Sequence, residues 1–253
     1  MSNSNRRIDK FAFFLPNTFT ALNLGCGFMA IMYSMQGRFY YACMLIFLGA
    51  VFDSVDGRVA RLTGTESSFG EQFDSLSDLI SFGIAPSIIY YNKFLVDFGR
   101  AGMVVAFLFL LCGALRLARF NANIDKVSGD YFQGLPIPGA AAAIVGFILI
   151  SSVYPEVLSK KLLVIPYILF YSLLMVSNIP FPSFKKSEWV RKHKRKIFFL
   201  LLVVASALFM WEEVMLFVVV SVYVLSSLGY RLTHKEKFND IFNWEENQGH
   251  ENV

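Results

Sequence analysis

Polar and charged residues in this chain are bunched into short clusters, separated by apolar stretches of bilayer-crossing length. Residues 197–210 carry no charge, and neither do residues 214–230. Eight apolar segments follow from this pattern, at about 17–35, 39–61, 71–91, 101–119, 137–154, 161–178, 197–211 and 214–231. A hydrocarbon core about 30 Å thick takes roughly 20 helical residues. Backbone groups in lipid must be satisfied within their own segment, so these segments are expected to be helices. The dyad alternation of membrane strands is absent. The pattern predicts an all-α integral membrane protein, a polytopic bundle of about eight spans.

Composition agrees. Of 253 residues, 55% are hydrophobic and 17% charged, against roughly half and a quarter in soluble domains. The first ten residues are polar and no small-residue cleavage site follows the first span, so that span is expected to be retained. Cys26, Cys43 and Cys112 lie in apolar spans without metal-ligand spacing and read as small buried hydrophobes. His193, His234 and His250 form no cluster.

Charge orients the bundle. With eight spans, eighteen of the 23 Lys and Arg residues fall on the side holding both termini. The other side receives Arg38, Lys93, Arg100, Lys160 and Lys161. The positive-inside rule then predicts N-in, C-in topology in the cytoplasmic membrane. The net charge of +4 is no nucleic-acid signal. The run KKSEWVRKHKRK at 185–196 suits helix ends lying against anionic headgroups, or the holding of an anionic lipid substrate.

No long linker, low-complexity tract or internal repeat is present. The expected organisation is a cytoplasmic segment at 1–16 and a six-helix catalytic core at 17–180. A basic loop with two further spans at 181–232 and a polar cytoplasmic tail at 233–253 follow.

Ionisable residues at membrane depth concentrate in one stretch, FDSVDGRVARLTGTESSFGEQFDSLSDL at 52–79. Such groups are costly in lipid and point to function. Asp53 and Asp56 are three apart and Asp74 and Asp78 four apart, so each pair shares a helix face. If the two helices form a hairpin, the pairs match in depth. Asp56 and Asp74 lie near the surface, with Asp53 and Asp78 about one turn deeper. Four facing carboxylates demand compensating cations, and hard oxygen donors suit Mg²⁺, Mn²⁺ or Ca²⁺. Four suffice for two ions at about 4 Å, the spacing that clamps an in-line phosphoryl displacement. Gly57, Ala60 and Gly70 would lower the pocket walls for a pyrophosphate, and Arg58 and Arg61 can neutralise phosphate oxygens. Two other readings compete: helix-end salt bridges with nearby arginines, and a cation pathway in a transporter.

From Asp53 to Asp78 the sequence reads D-x2-D-G-x2-A-R-x8-G-x3-D-x3-D, eight fixed residues over 26 positions. This resembles the signature of the CDP-alcohol phosphotransferases. The resemblance implies that Asp53, Asp56 and Asp74 hold two divalent ions with help from Asp78, the implied general base. It also implies that Gly57, Ala60, Arg61 and Ser67 line the CDP and phosphate site. Four further stretches, PNTFTALNLGCGF, SDLISFGIAP, LRLARFN and FQGLPIPGAAA, resemble the membrane-bound, phosphatidylserine-forming branch of that family. That branch implies CDP-diacylglycerol and L-serine as substrates, a six-helix core with the last two spans as an extension, and a homodimer. Other acceptors remain open: glycerol 3-phosphate, an inositol phosphate or a lipid headgroup.

The residues themselves allow a polar acceptor. Arg116, Arg119 and Asn121 end the fourth span, and an arginine fork suits a serine carboxylate; anchoring at the membrane surface is the alternative. Asn17 and Thr20 could reach the nucleotide or cap a helix. Gly134, Pro136, Pro138 and Gly139 are expected to shape the start of the fifth span.

Overall fold

A computed structural model describes residues 2–123, 131–158, 161–182 and 210–233, together with 203, 206 and 207. Among these residues the chain is a bundle of helices. Helix α1 (Ser2–Met35) turns through Gly37, at φ 73°, into α2 (Phe39–Thr63). A third rod, α3 (Ser68–Phe98), and α4 (Arg100–Ala122) follow. Then come a short strand β1 (Tyr131–Gln133), α5 (Ile137–Val153), the single turn α6 (Pro155–Leu158) and α7 (Lys161–Val176). Strand β2 (Pro180–Pro182) and α8 (Glu212–Thr233) complete the described chain.

Five of these helices are long and apolar enough to cross a membrane, and α5 and α7 are shorter apolar helices. The expected spans coincide with helices, except that 197–211 lies largely outside the described residues, as do 185–196 and the tail from 234. Hydropathy underestimated two ends. The first helix begins well before residue 17, and the third continues to Phe98, past Leu95, which is fully buried.

Helix α5 is the axis of the core. Ala140, Ala143, Ile144, Phe147 and Ile148 are fully or almost fully buried, as expected of a helix apolar on every face. Phe147 stacks on Tyr167 with centroids 4.2 Å apart, and the Tyr167 hydroxyl donates to the Ala143 carbonyl. Helix α8 lies against α5 where Gly146 brings the backbones together; a Cβ there would meet the Phe217 nitrogen at 2.9 Å. Phe28, Met32, Phe47, Phe107, Leu115 and Leu225 point outward, suiting lipid.

Helix α3 is not uniform. It is α-helical over Ser68–Asp78, opens into a π-helical turn at Leu79–Ile84, and is α-helical again over Ala85–Tyr90. Pro86 gives the reason. It has no N–H for the carbonyl four residues back, and its ring crowds that carbonyl. The preceding Ala85 N–H reaches to the Ile80 carbonyl, five residues back.

Periodicity gave no hint of two three-residue strands outside the spans. Strands β1 and β2 pair antiparallel, with Phe132 opposite Phe181. Gly134, at φ 76°, turns the chain from β1 toward α5, and a Cβ there would strike the Met175 carbonyl oxygen.

Candidate active site

The aspartates come from the last turns of α2 and the first turns of α3. Between them Gly64, in the left-handed region at φ 64°, closes α2 with its N–H on the Ala60 carbonyl. Ser67 opens α3 as N-cap, its Oγ accepting from the Gly70 N–H at 3.1 Å. The hairpin expected from the spacing is therefore present, and it sets both acidic pairs face to face. Carboxylate oxygens of Asp53, Asp56 and Asp74 lie within 4.8 Å of one another. Asp78 lies beside them, within hydrogen-bond reach of Asp53.

Helix α1 forms the third wall. Thr20 Oγ1 donates to Asp56 Oδ2 at 2.8 Å, and both residues are buried. Ser77 Oγ donates to the Thr20 carbonyl and Ser81 Oγ to the Asn23 carbonyl, at 3.1 and 2.9 Å. Gly27 lets α1 and α3 touch; a Cβ there would lie 2.8 Å from Ser81 Cα. Asn17, Ser67 and Gly70 meet at the mouth, where a Cβ on Gly70 would be 3.3 Å from Ser67 Oγ and 3.5 Å from Asn17 Oδ1. Asn17 is interior to α1, which excludes helix capping for it. The Arg61 guanidinium reaches back across Gly57, 3.6 Å from where a Cβ would be.

The donor set fits a hard divalent cation. All the candidate ligands are carboxylate oxygens. Asp74 Oδ1 and Asp78 Oδ1 are buried without a hydrogen-bond partner, a costly state for an acceptor unless something else satisfies it.

Arg116 and Arg119, expected on one face for one ligand, have different surroundings. Arg119 donates to the carbonyls of Gln133, Met175, Val176 and Ser177 and to Asn178 Oδ1, at 2.9–3.3 Å. Its fork is thereby engaged in closing the end of α7 against β1. Arg116 is only 7% exposed, lies near enough to Asp78 for their charges to interact, and stacks over the Phe120 ring at 5.0 Å. Asn121 Nδ2 donates to Ser75 Oγ at 3.0 Å, next to Asp74.

Asn23 went unnoticed in the sequence. It is fully buried, and neither end of its side-chain amide has a partner. Its place six residues after Asn17 on the same helix is the one signal that could have found it.

A helical membrane bundle thus gathers carboxylates suited to a hard cation at one end of a hairpin, with Arg61 beside them. Residues 13–179 match the family model described as CDP-alcohol phosphatidyltransferase, and the chain belongs to that family. It is 41% identical over 215 residues to a CDP-diacylglycerol–serine O-phosphatidyltransferase of Helicobacter pylori, covering 84% of this chain and 89% of that one. It is 44% identical over 170 residues to the archaetidylserine synthase of Methanothermobacter thermautotrophicus, covering 66% and 69%. A CDP-diacylglycerol–serine O-phosphatidyltransferase of Mycobacterium leprae is 29% identical over 242 residues, covering 90% and 80%.

Proposed function

We propose that this chain transfers a phosphatidyl group from CDP-diacylglycerol to the hydroxyl of L-serine, giving phosphatidylserine and CMP. The observation that carries the reading is the cluster of Asp53, Asp56 and Asp74 with Asp78 beside it, in a chain whose relatives are named for serine transfer. Asp53, Asp56 and Asp74, with Asp78, would hold Mg²⁺ or Mn²⁺, two per site. Bound there, such ions supply neutralisation of the pyrophosphate charge. Asn17, Thr20, Gly57, Ala60, Arg61, Ser67 and Gly70 frame the CDP moiety, Thr20 through its hold on Asp56. Arg116 receives the serine carboxylate, beside Asn121, and Arg119 keeps the end of α4 in place for it. Asp78 takes the hydroxyl proton as the serine oxygen forms its bond to the lipid-bearing phosphorus. The bond from that phosphorus to the CMP oxygen breaks.

The basic side of the bundle is the side of the aspartates. The active site therefore faces the cytoplasm from the inner membrane, and the family resemblance suggests a homodimer.

The test is purified protein with CDP-diacylglycerol, Mg²⁺ or Mn²⁺, and a panel of labelled alcohols. CMP release with serine is expected, together with loss of release on chelation and its return on adding back the cation. Release with glycerol 3-phosphate but not with serine would sink the reading. Cation flux in liposomes without any CMP release would favour a transporter.

A further inference from the structure

The Arg116 guanidinium is buried and lies near enough to Asp78 for their charges to interact, yet among the described residues no hydrogen bond fixes it. What it rests on is one ring, Phe120, one helical turn further along α4. Phe120 is itself 39% exposed. It is backed by Phe132 of β1, with centroids 6.4 Å apart. Phe132 is in turn held by its strand: it pairs with Phe181 of β2, whose ring packs on Tyr223 of α8 at 5.8 Å. The strand is pinned by Arg119, which takes the Gln133 carbonyl and three carbonyls at the end of α7. Gln133 Nε2 adds a bond to Asn178 Oδ1 at 3.0 Å. A chain of contacts thus runs from the paired strands through Phe132 and Phe120 to Arg116.

We propose that Phe120 is a positioning residue for the acceptor: its ring holds the Arg116 guanidinium near Asp78, and Phe132 on the β1–β2 strap holds the ring. This rests on Arg116 as receiver of the serine carboxylate. A cation over an aromatic face is held by the ring quadrupole, most strongly when water is excluded. A guanidinium held that way keeps all its N–H donors for a ligand, which a hydrogen-bonded or salt-bridged arginine does not. An aliphatic side chain would fill much of the same space but would not hold the charge. The effect falls on serine and not on the lipid substrate.

The test is steady-state kinetics on the full-length protein, varying serine and CDP-diacylglycerol in turn. Phe120→Leu should raise the serine KM about tenfold, the scale of a largely desolvated cation–π contact. It should leave kcat and the lipid KM nearly unchanged. Phe120→Tyr, which keeps the ring, should retain the native serine KM. Phe132→Leu should shift the serine KM in the same direction by less. Phe120→Met serves if the leucine variant melts early, with the same expectation. An unchanged serine KM in Phe120→Leu and Phe120→Met overturns the proposal, as does equal impairment of the leucine and tyrosine variants. Arg116→Ala separates the two levels. If it raises the serine KM and Phe120→Leu does not, only the role of Phe120 fails. If Arg116→Ala leaves the serine KM alone, the reading of Arg116 fails, and this proposal with it.

Discussion

Thr20 and Asp78 act on the carboxylate cluster from different sides. Thr20 fixes one oxygen of Asp56 from α1, so Thr20→Val removes a buried donor while keeping the shape. A hydrogen bond to a charged group is worth about 1.5–3 kcal/mol. The expected result is a rise of about tenfold or more in the Mn²⁺ concentration needed for half-maximal activity, paralleled in Mn²⁺ binding followed by electron paramagnetic resonance. Asp78→Asn keeps the volume and removes the proton acceptor. Turnover should fall by at least about a hundredfold while CDP binding, measured by calorimetry, largely survives; an active variant would remove Asp78 from the role of base. The four aspartates were legible in the sequence because charge at membrane depth stands out against apolar neighbours. Asn23 was not, since its one signal, a place six residues after Asn17, does not single it out among the polar residues of that helix. Nor was the separation of Arg116 from Arg119 legible. Both sit at the end of one span, and only the carbonyls of α7 and β1, distant in sequence, tell them apart.

Between elements, the contact of α1 with α3 sets the third wall of the site. Two serine hydroxyls bind α1 carbonyls there, and Gly27 leaves no room for a side chain. Gly27→Val would overpack this seam at a cost of about 1–3 kcal/mol. A lower melting temperature in detergent and weaker metal binding should appear together, because the wall carries Thr20. The helices themselves were readable from hydropathy, since lipid permits few alternatives to a helix. Their ends were not: α3 runs on to Phe98 with only Leu95 of its last turn buried, and no apolar pattern marks that stop. The strand pair was invisible, as three residues with prolines at both ends of β2 carry no alternation to detect.

At the scale of the whole molecule, the site is built by α1 to α4, while α5 fills the core and α8 leans on it through Gly146. The two ends of the chain therefore differ in what they support. Gly146→Leu would push α8 off α5, and the Phe217 backbone cannot yield as a flexible side chain would. Thermal stability should fall by about 1–3 kcal/mol, with the metal requirement unchanged. A shift in metal affinity equal to that of Gly27→Val would mean that the bundle transmits strain from one end to the other. The arrangement of α8 against α5 could not be read from the sequence, where the last spans looked only like an addition to the core.

The widened turn at Leu79–Ile84 fits one more residue into the rod than a straight α-helix of the same rise would hold. Each helical residue advances the rod by about 100°. Loss of a single codon in that turn would leave an ordinary α-helix of about the same rise, and the segment carrying Asp74 and Asp78 would keep its facing relative to the half anchored at Pro86. Loss of a second codon would have no such slack to draw on. Composition and hydropathy would hardly change, and the span would still cross the membrane, but the acids would swing by about 100° away from their partners on α2. The turn is thus a one-residue reserve of length, and deletion of two residues there should be far more damaging than deletion of one.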